Sequence, residues 1–440
     1  MSDLKKGLTI SSLTMIVIGS CIGSGIFVTP AGTFKELPHH GFVLLTWFLG
    51  GVITFFGAMT FSELSARFPK AGGVYVFLKE AYGELAGFLY GWIILLIVNT
   101  GALAALCVVF TDFLGFFIEM SAFVKQVVAI GTLLFLTCFN IIGVNISGMF
   151  AKLFTGLKLL ALLAIIILGL YYFDGETTNH QLNFNFSQAP ENLGSMMLLA
   201  FVGVFWSFGG WHHATYLSGE TMNPQSTVPK SMLLGTLTVT LVYLLVIFAY
   251  SCLLPMDQII TSERVAGDAV ANVISGGGKL VAVAITISIF GTIGIYTMSA
   301  PRIYYAMAKD RIFFKFLAKV HSRYKTPYLA MLFQCFWAIV LILLFKNFHN
   351  LMTFATFMDI LFMALATSTI FIFRMKKKTD HPAYLLKLYP IIPIIYLLVT
   401  IAFVLNTLKH IEGVPIIALL ILILGVPTYL IFKKYGTHNS

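Results

Sequence analysis

The chain has 440 residues, 58% hydrophobic and only 10% charged, with a mean hydropathy of +0.91. That composition excludes a water-soluble globular protein and predicts an all-α polytopic membrane protein whose single bundle uses the whole length. The formal net charge of +10 would suggest nucleic acid in a soluble chain; here the basic residues lie between apolar runs, so it reads as membrane topology, with anionic-lipid binding as a companion reading and no nucleic-acid partner.

Apolar runs long enough to cross about 30 Å of hydrocarbon occur at 9–35, 41–66, 80–116, 124–145, 149–173, 194–219, 230–255, 270–306, 328–346, 349–374, 389–408 and 412–433. They predict twelve transmembrane helices. The first run is too long for a signal-peptide core and lacks a small-residue cleavage site, so it is expected to stay as the first helix. It contains Gly19-Ser-Cys-Ile-Gly-Ser-Gly-Ile-Phe27. Glycine weakens a helix and lets the backbone leave helical angles. Backbone groups freed at that depth are not satisfied by lipid, so such a break is tolerable only where it lines a cavity and meets a polar solute. The competing reading is close helix packing through Gly19-x-x-x-Gly23. Gly87-x-x-x-Gly91 in the third run fits the same motif, and packing is the expectation there.

Lys158 lies in the fifth run among Leu, Ala and Ile, where an ammonium either snorkels to the interface or has a function. Asp174–Asn192 is polar and aromatic and predicts an outer loop. The sixth run carries Phe205-Trp-Ser-Phe-Gly-Gly-Trp211, then His212 and His213. The first and sixth runs are five helices apart and so cross in opposite directions. Paired glycine-interrupted helices in two halves are the sequence pointer to an inverted-repeat transporter. The paired histidines read as pocket or packing residues, with titration as the other reading. Met307–Val320 is basic and apolar by turns and predicts an amphipathic helix on the inner face. In the tenth run Asp359 is an ionisable group at a costly depth. It is either a pocket residue favouring a polar or basic substrate group, or a structural carboxyl. Asn99 in the third run is a further pocket candidate.

With the N-terminus inside, 21 Lys and Arg fall on the inner side, 6 outside and Lys158 within the membrane. The positive-inside rule then places both termini in the cytoplasm. Cys21, Cys107, Cys138, Cys252 and Cys335 all lie in apolar segments without metal-ligand spacing, which reads as small core residues, not disulfides or metal ligands.

An ordered set of motifs resembles the amino acid–polyamine–organocation superfamily and, within it, the L-type amino acid transporter family. The set is Ile18-Gly-Ser-Cys-Ile-Gly-Ser-Gly-Ile-Phe27; Phe68-Pro-Lys-Ala-Gly-Gly-Val-Tyr75 with Ala81-Tyr-Gly83 and Gly91-Trp92; Gly219-Glu-Thr-Met-Asn-Pro224 with Val228-Pro-Lys230; and Pro301-Arg302 with Ala306-Met-Ala308 and Thr326-Pro327. The resemblance covers nearly the whole chain. It implies a LeuT-type fold in one transporter domain, with inverted five-helix repeats at about 9–173 and 194–374 and two further helices at about 389–433. It implies transport of amino acids, usually by obligatory exchange, with no cofactor.

For an amino acid zwitterion, the resemblance assigns the carboxylate to Ser24, Gly25 and Ile26, where a helix start offers free N–H groups and a favourable dipole. It assigns the ammonium to the carbonyls of Cys21, Trp206 and Gly209. Trp206 occupies the position of an aromatic ring that covers the substrate from outside. Gly209 stands where some relatives carry Asp or Asn; it leaves room and supplies no charge, favouring neutral side chains. Lys158 matches a family lysine whose ammonium occupies space used by Na⁺ in sodium-coupled relatives, and Tyr243 a tyrosine that fixes the first helix. Gly294 stands where many relatives have Asn. Sodium-independent exchange is therefore expected; the alternative is a proton-coupled symporter using Lys158, because burial draws a lysine pKa towards neutrality.

A membrane enzyme and a channel are the readings from other classes. No H-E-x-x-H or G-x-S-x-G motif is present, and one discontinuous pair per chain suits a carrier better than a pore. Mammalian relatives attach a heavy subunit through a cysteine between the third and fourth helices; Gly115–Gln126 has none, so no disulfide-linked partner is expected. The short tails resemble bacterial members, which implies the cell inner membrane.

Overall fold

A computed structural model of the protein describes residues 4–173, 191–344, 348–376, 382–410 and 414–436. The predicted outer loop lies outside the described residues except for 191 and 192, as do Lys377 and Lys378. The elements are α1 (Ile10–Cys21), α2 (Gly25–Glu36), α3 (His40–Arg67), α4 (Val74–Tyr82), α5 (Glu84–Ile93), a π turn (Ile94–Val98), α6 (Asn99–Leu114), α7 (Ala122–Ile141), α8 (Val144–Tyr171), α9 (Leu193–Phe208), α10 (His213–Tyr216), α11 (Pro224–Leu253), α12 (Met256–Thr261), α13 (Val265–Val273), α14 (Gly277–Ser299), α15 (Pro301–Lys309), α16 (Tyr328–Leu344), α17 (Phe348–Met375), α18 (Ile391–His410) and α19 (Val414–Gly436).

Among the described residues, nine helices are long and apolar enough to cross a membrane. The α1–α2 pair, bent by 40°, makes another span, and α9 and α16 are shorter apolar helices. These match the twelve apolar runs and give an all-α polytopic bundle. In lipid the backbone must satisfy its own hydrogen bonds, which is why each crossing is helical. Long side chains such as Leu160, Ile167 and Leu424 stay exposed on the outer surface, where lipid is their solvent.

Three segments differ from their sequence outline. The run at 80–116 contains a kink at Gly83, whose φ is 94°, and the π turn at Ile94–Val98. The run at 270–306 begins inside the separate α13, because Gly276 takes a φ of 76° and starts α14 afresh. Met307–Val320 is not one amphipathic helix: α15 ends at Lys309, Arg311 turns to a φ of 62°, and only a short 3-10 turn follows at Lys315–Ala318. Burying Ile312, Phe313 and Leu317 inside the fold takes away the apolar face that a surface helix would need. Cys138 is exposed on α7, unlike the buried Cys21, Cys107 and Cys335.

Helices α3 and α11 share the most extensive contact, and α1 packs among α8, α11 and α14. Gly91 lies against α15, where a Cβ would stand 2.1 Å from the Met307 sulfur, so this glycine serves packing. Polar ties join the elements at the bundle end that carries the N-terminus. Arg302 and Glu220, both fully buried, pair at 2.6 and 2.8 Å, and the Glu220 carbonyl accepts the Gly7 and Leu8 amides. At the same end, Tyr75 donates to Asp310 at 2.6 Å and Lys79 pairs with Asp310 at 2.8 Å. Burial, with the Asp310 carboxylate beside it, pushes the Tyr75 phenol pKa up, so it stays a donor.

Candidate functional site

The first break spans residues 22–24. The first bonds of α2 run from the Phe27 and Val28 amides to the Ser24 carbonyl at 3.1 Å. The amides of Ser24, Gly25 and Ile26 therefore precede the first intrahelical donor, the Phe27 amide, as at any helix start. The Ser24 hydroxyl is buried and meets no hydrogen-bond partner. The two readings of the glycine segment divide it. Gly19 packs, since a Cβ there would stand 2.2 Å from Thr155 Oγ1, while residues from Gly23 onward form the break.

The second break follows α9. Gly209 is extended, with ψ 154°, and Gly210 takes a φ of 94°, a conformation that favours glycine. Helical structure resumes only at His213. The two breaks touch. Ser20 Oγ donates to the Gly210 carbonyl at 2.9 Å, and a Cβ on Gly25 would lie 2.7 Å from Ser207 Cα. The Tyr243 hydroxyl on α11 lies 2.9 Å from the Cys21 carbonyl and 2.8 Å from the Ser207 carbonyl. With one proton to give, it serves one of them at a time. The Cys21 carbonyl also accepts the Gly23 amide at 2.9 Å.

Lys158 does not snorkel; it is fully buried. Its ammonium donates to the Gly19 carbonyl at 3.1 Å, the Ile22 carbonyl at 2.5 Å and Thr292 Oγ1 at 2.8 Å. These partners close the C-terminal end of α1 against α8 and α14. Carbonyls at a helix C-terminus carry partial negative charge, so a cation is favoured there.

Between the breaks lies a cavity. Cys21, Ser24, Gly25, Trp206, Gly209, Asn99 and Asp359 line it; Ile26, Lys158 and Tyr243 stand behind its wall. Trp206 is half-buried there. Asn99 donates to Gln334 at 3.0 Å, and Asp359 Oδ1 stands 3.6 Å from His212 Nε2. Both histidines line the cavity, with His213 Nδ1 2.7 Å from Ser299 Oγ. Gly294 lies outside it: its carbonyl accepts from Asn140 at 2.7 Å, and a Cβ there would meet Phe150 at 2.5 Å.

Sequence reasoning missed Ser20, Tyr216, Thr292, Tyr296 and Thr356, which also line the cavity. The signal for Ser20 was its place one residue before Cys21. Asn99 opens α6 directly after the π turn, a feature frequent at functional sites.

The arrangement offers N–H groups without a helical acceptor at one helix start and, at two helix ends, carbonyls that each keep a lone pair beyond their present bonds, the Trp206 carbonyl accepting the Gly209 amide at 3.2 Å, all around one cavity. That combination complements a small zwitterion. Comparison with known proteins gives a matching picture. The family described as amino acid permease matches residues 8–426. The chain is 32% identical over 439 residues to the serine/threonine exchanger SteT of Bacillus subtilis (strain 168), covering 98% of each. It is 30% identical to the human large neutral amino acids transporter small subunit 2, over 97% of this chain and 80% of that protein. It is 29% identical to the mouse Asc-type amino acid transporter 1, over 97% of this chain and 81% of that protein.

Proposed function

The chain belongs to the amino acid permease family, and from that premise we propose that it carries neutral L-amino acids across the membrane by sodium-independent exchange. The observation that carries this reading is the meeting of two broken helices of opposite direction around one cavity, with a buried ammonium behind the first. The substrate carboxylate binds the amides of Ser24, Gly25 and Ile26, helped by the Ser24 hydroxyl and the α2 dipole. The substrate ammonium binds the carbonyls of Trp206 and Gly209. It also takes the Cys21 carbonyl whenever the Tyr243 hydroxyl turns to Ser207. Trp206 closes the cavity above the substrate, and Gly209, Asp359 and Asn99 face the side chain.

Lys158 supports sodium independence. An ammonium has three N–H groups and here meets three acceptors, the set that its charged form requires. A fixed cation at this point does the bridging between α1 and α14 that a metal ion would otherwise do. The same satisfied geometry favours exchange over the proton-coupled reading. The two repeats, about 9–173 and 194–374, then rock around the fixed site, and both termini lie in the cytoplasm. We read no catalytic role into the cavity, and no disulfide-linked heavy subunit.

A competition panel tests the site. In proteoliposomes, uptake of a labelled neutral L-amino acid is inhibited by L-amino acids but not by their N-acetyl derivatives, methyl esters or decarboxylated amines. Equal inhibition by the modified compounds would contradict a two-ended zwitterion site.

A further inference from the structure

The relatives differ in the substrates their names state, so they do not choose a side chain for this cavity. Its wall carries that information. Asn99 Oδ1, His212 Nδ1, Thr356 Oγ1 and Asp359 Oδ1 are buried atoms of cavity-lining residues, and none meets a hydrogen-bond partner. Asn99 spends its donor on Gln334, which leaves its oxygen as an acceptor. The 3.6 Å between Asp359 Oδ1 and His212 Nε2 is beyond hydrogen-bond range. The unsatisfied set is thus rich in acceptors: a carboxylate oxygen, an amide oxygen, a hydroxyl oxygen and a ring nitrogen whose role follows its tautomer. Leaving such a group buried and unmade costs about 1–3 kcal/mol, and native interiors hold few of them. Several in one cavity point to a ligand that brings the missing donors. Asp359 also borders a second small cleft, whose lining Gly209 shares.

We propose that this wall selects amino acids whose side chain carries a hydrogen-bond donor, a hydroxyl or an amine, over apolar side chains of the same shape. Asp359, Thr356 and His212 make the discrimination, and Asn99 completes the wall. The proposal rests on the amino acid transport reading above and adds the substrate class: a hydroxyl keeps the substrates neutral, whereas an amine would extend them to cationic side chains. A site built to bond a substrate donor rejects the analogue lacking it far more strongly than an apolar pocket rejects a missing methylene, because its own groups are left unpaired.

The test is competition in proteoliposomes by two shape-matched pairs. Threonine against valine isolates a hydroxyl; 2,4-diaminobutyrate against norvaline isolates an amine. In wild type, the donor-bearing member of at least one pair is expected to inhibit at a concentration at least about 30-fold lower. Discrimination in the hydroxyl pair alone assigns a neutral wall; discrimination in the amine pair assigns an ionised Asp359. Thr356→Val and Asp359→Asn should each shrink the ratio several-fold, in protein that elutes as a single species on size exclusion. Equal inhibition within both pairs, or ratios unchanged in both variants, would overturn the proposal while leaving transport intact. Absence of transport for every amino acid would instead overturn the reading on which it rests.

Discussion

Lys158 gives its three N–H groups to Gly19, Ile22 and Thr292, and removing them leaves one of the two carbonyls at the end of α1 short of a donor, because the Thr292 hydroxyl, 3.0 Å from both, has one proton to give. Unsatisfied buried acceptors cost about 1–3 kcal/mol each. Lys158→Ala is therefore expected to lower exchange at least about tenfold through this loss, while replacing Na⁺ leaves wild type unchanged. A strict Na⁺ requirement in wild type would overturn this role. Trp206 is half-buried and lines the cavity. Trp206→Ala should remain folded by size exclusion and lose most of its uptake; uptake at the wild-type rate would remove its gating role. Lys158 and Asp359 were legible in the sequence because charge stands out in an apolar run. Their surroundings were not. Thr292 lies 134 positions from Lys158, and only the folded chain shows that its hydroxyl completes the ammonium's set. Thr356 is an ordinary helix threonine by sequence, distinguished only by a hydroxyl that meets no partner.

Broken helices were legible because glycine is costly in a helix interior, and both breaks fall where the glycines cluster. Their mutual contact was not. It depends on Gly25 admitting the Ser207 backbone, where a Cβ would stand 2.7 Å from Ser207 Cα. Because backbone cannot yield as a flexible side chain does, Gly25→Val should destabilise the fold by about 1–3 kcal/mol through overpacking and abolish uptake. A variant with unchanged thermal stability and transport would show that the breaks do not need this approach. The π turn before Asn99 left no mark in the sequence, since Ile94–Val98 is uniformly apolar. The amphipathic pattern of Met307–Val320 misled for a related reason. Met307, Ile312, Phe313 and Leu317 face the protein's own interior while Phe314 and Phe316 stay exposed, and Arg311 turns the chain between them.

At the scale of the whole molecule, alternating access needs one end sealed while the other opens. The end bearing the N-terminus is held by the fully buried Arg302–Glu220 pair, to which the Gly7 and Leu8 amides add. Removing one partner of such a pair leaves an uncompensated buried charge and costs about 3–5 kcal/mol. Arg302→Leu is expected to lower thermal stability and to raise solvent labelling of a cysteine introduced at Ser20; unchanged labelling would deny the pair a sealing role. Composition and periodicity supplied the bundle and its crossings, whereas the seal joins residues 82 positions apart that no local pattern connects. Exchange without a coupling cation is the property on which the roles of Lys158 and of the cavity converge. The most direct measurement is uptake of a labelled neutral L-amino acid by proteoliposomes, loaded with unlabelled substrate or empty, in Na⁺-free buffer at equal pH on both sides. Fast uptake into loaded vesicles and almost none into empty ones is the predicted result. Uptake into empty vesicles that requires an inward proton or Na⁺ gradient would contradict it.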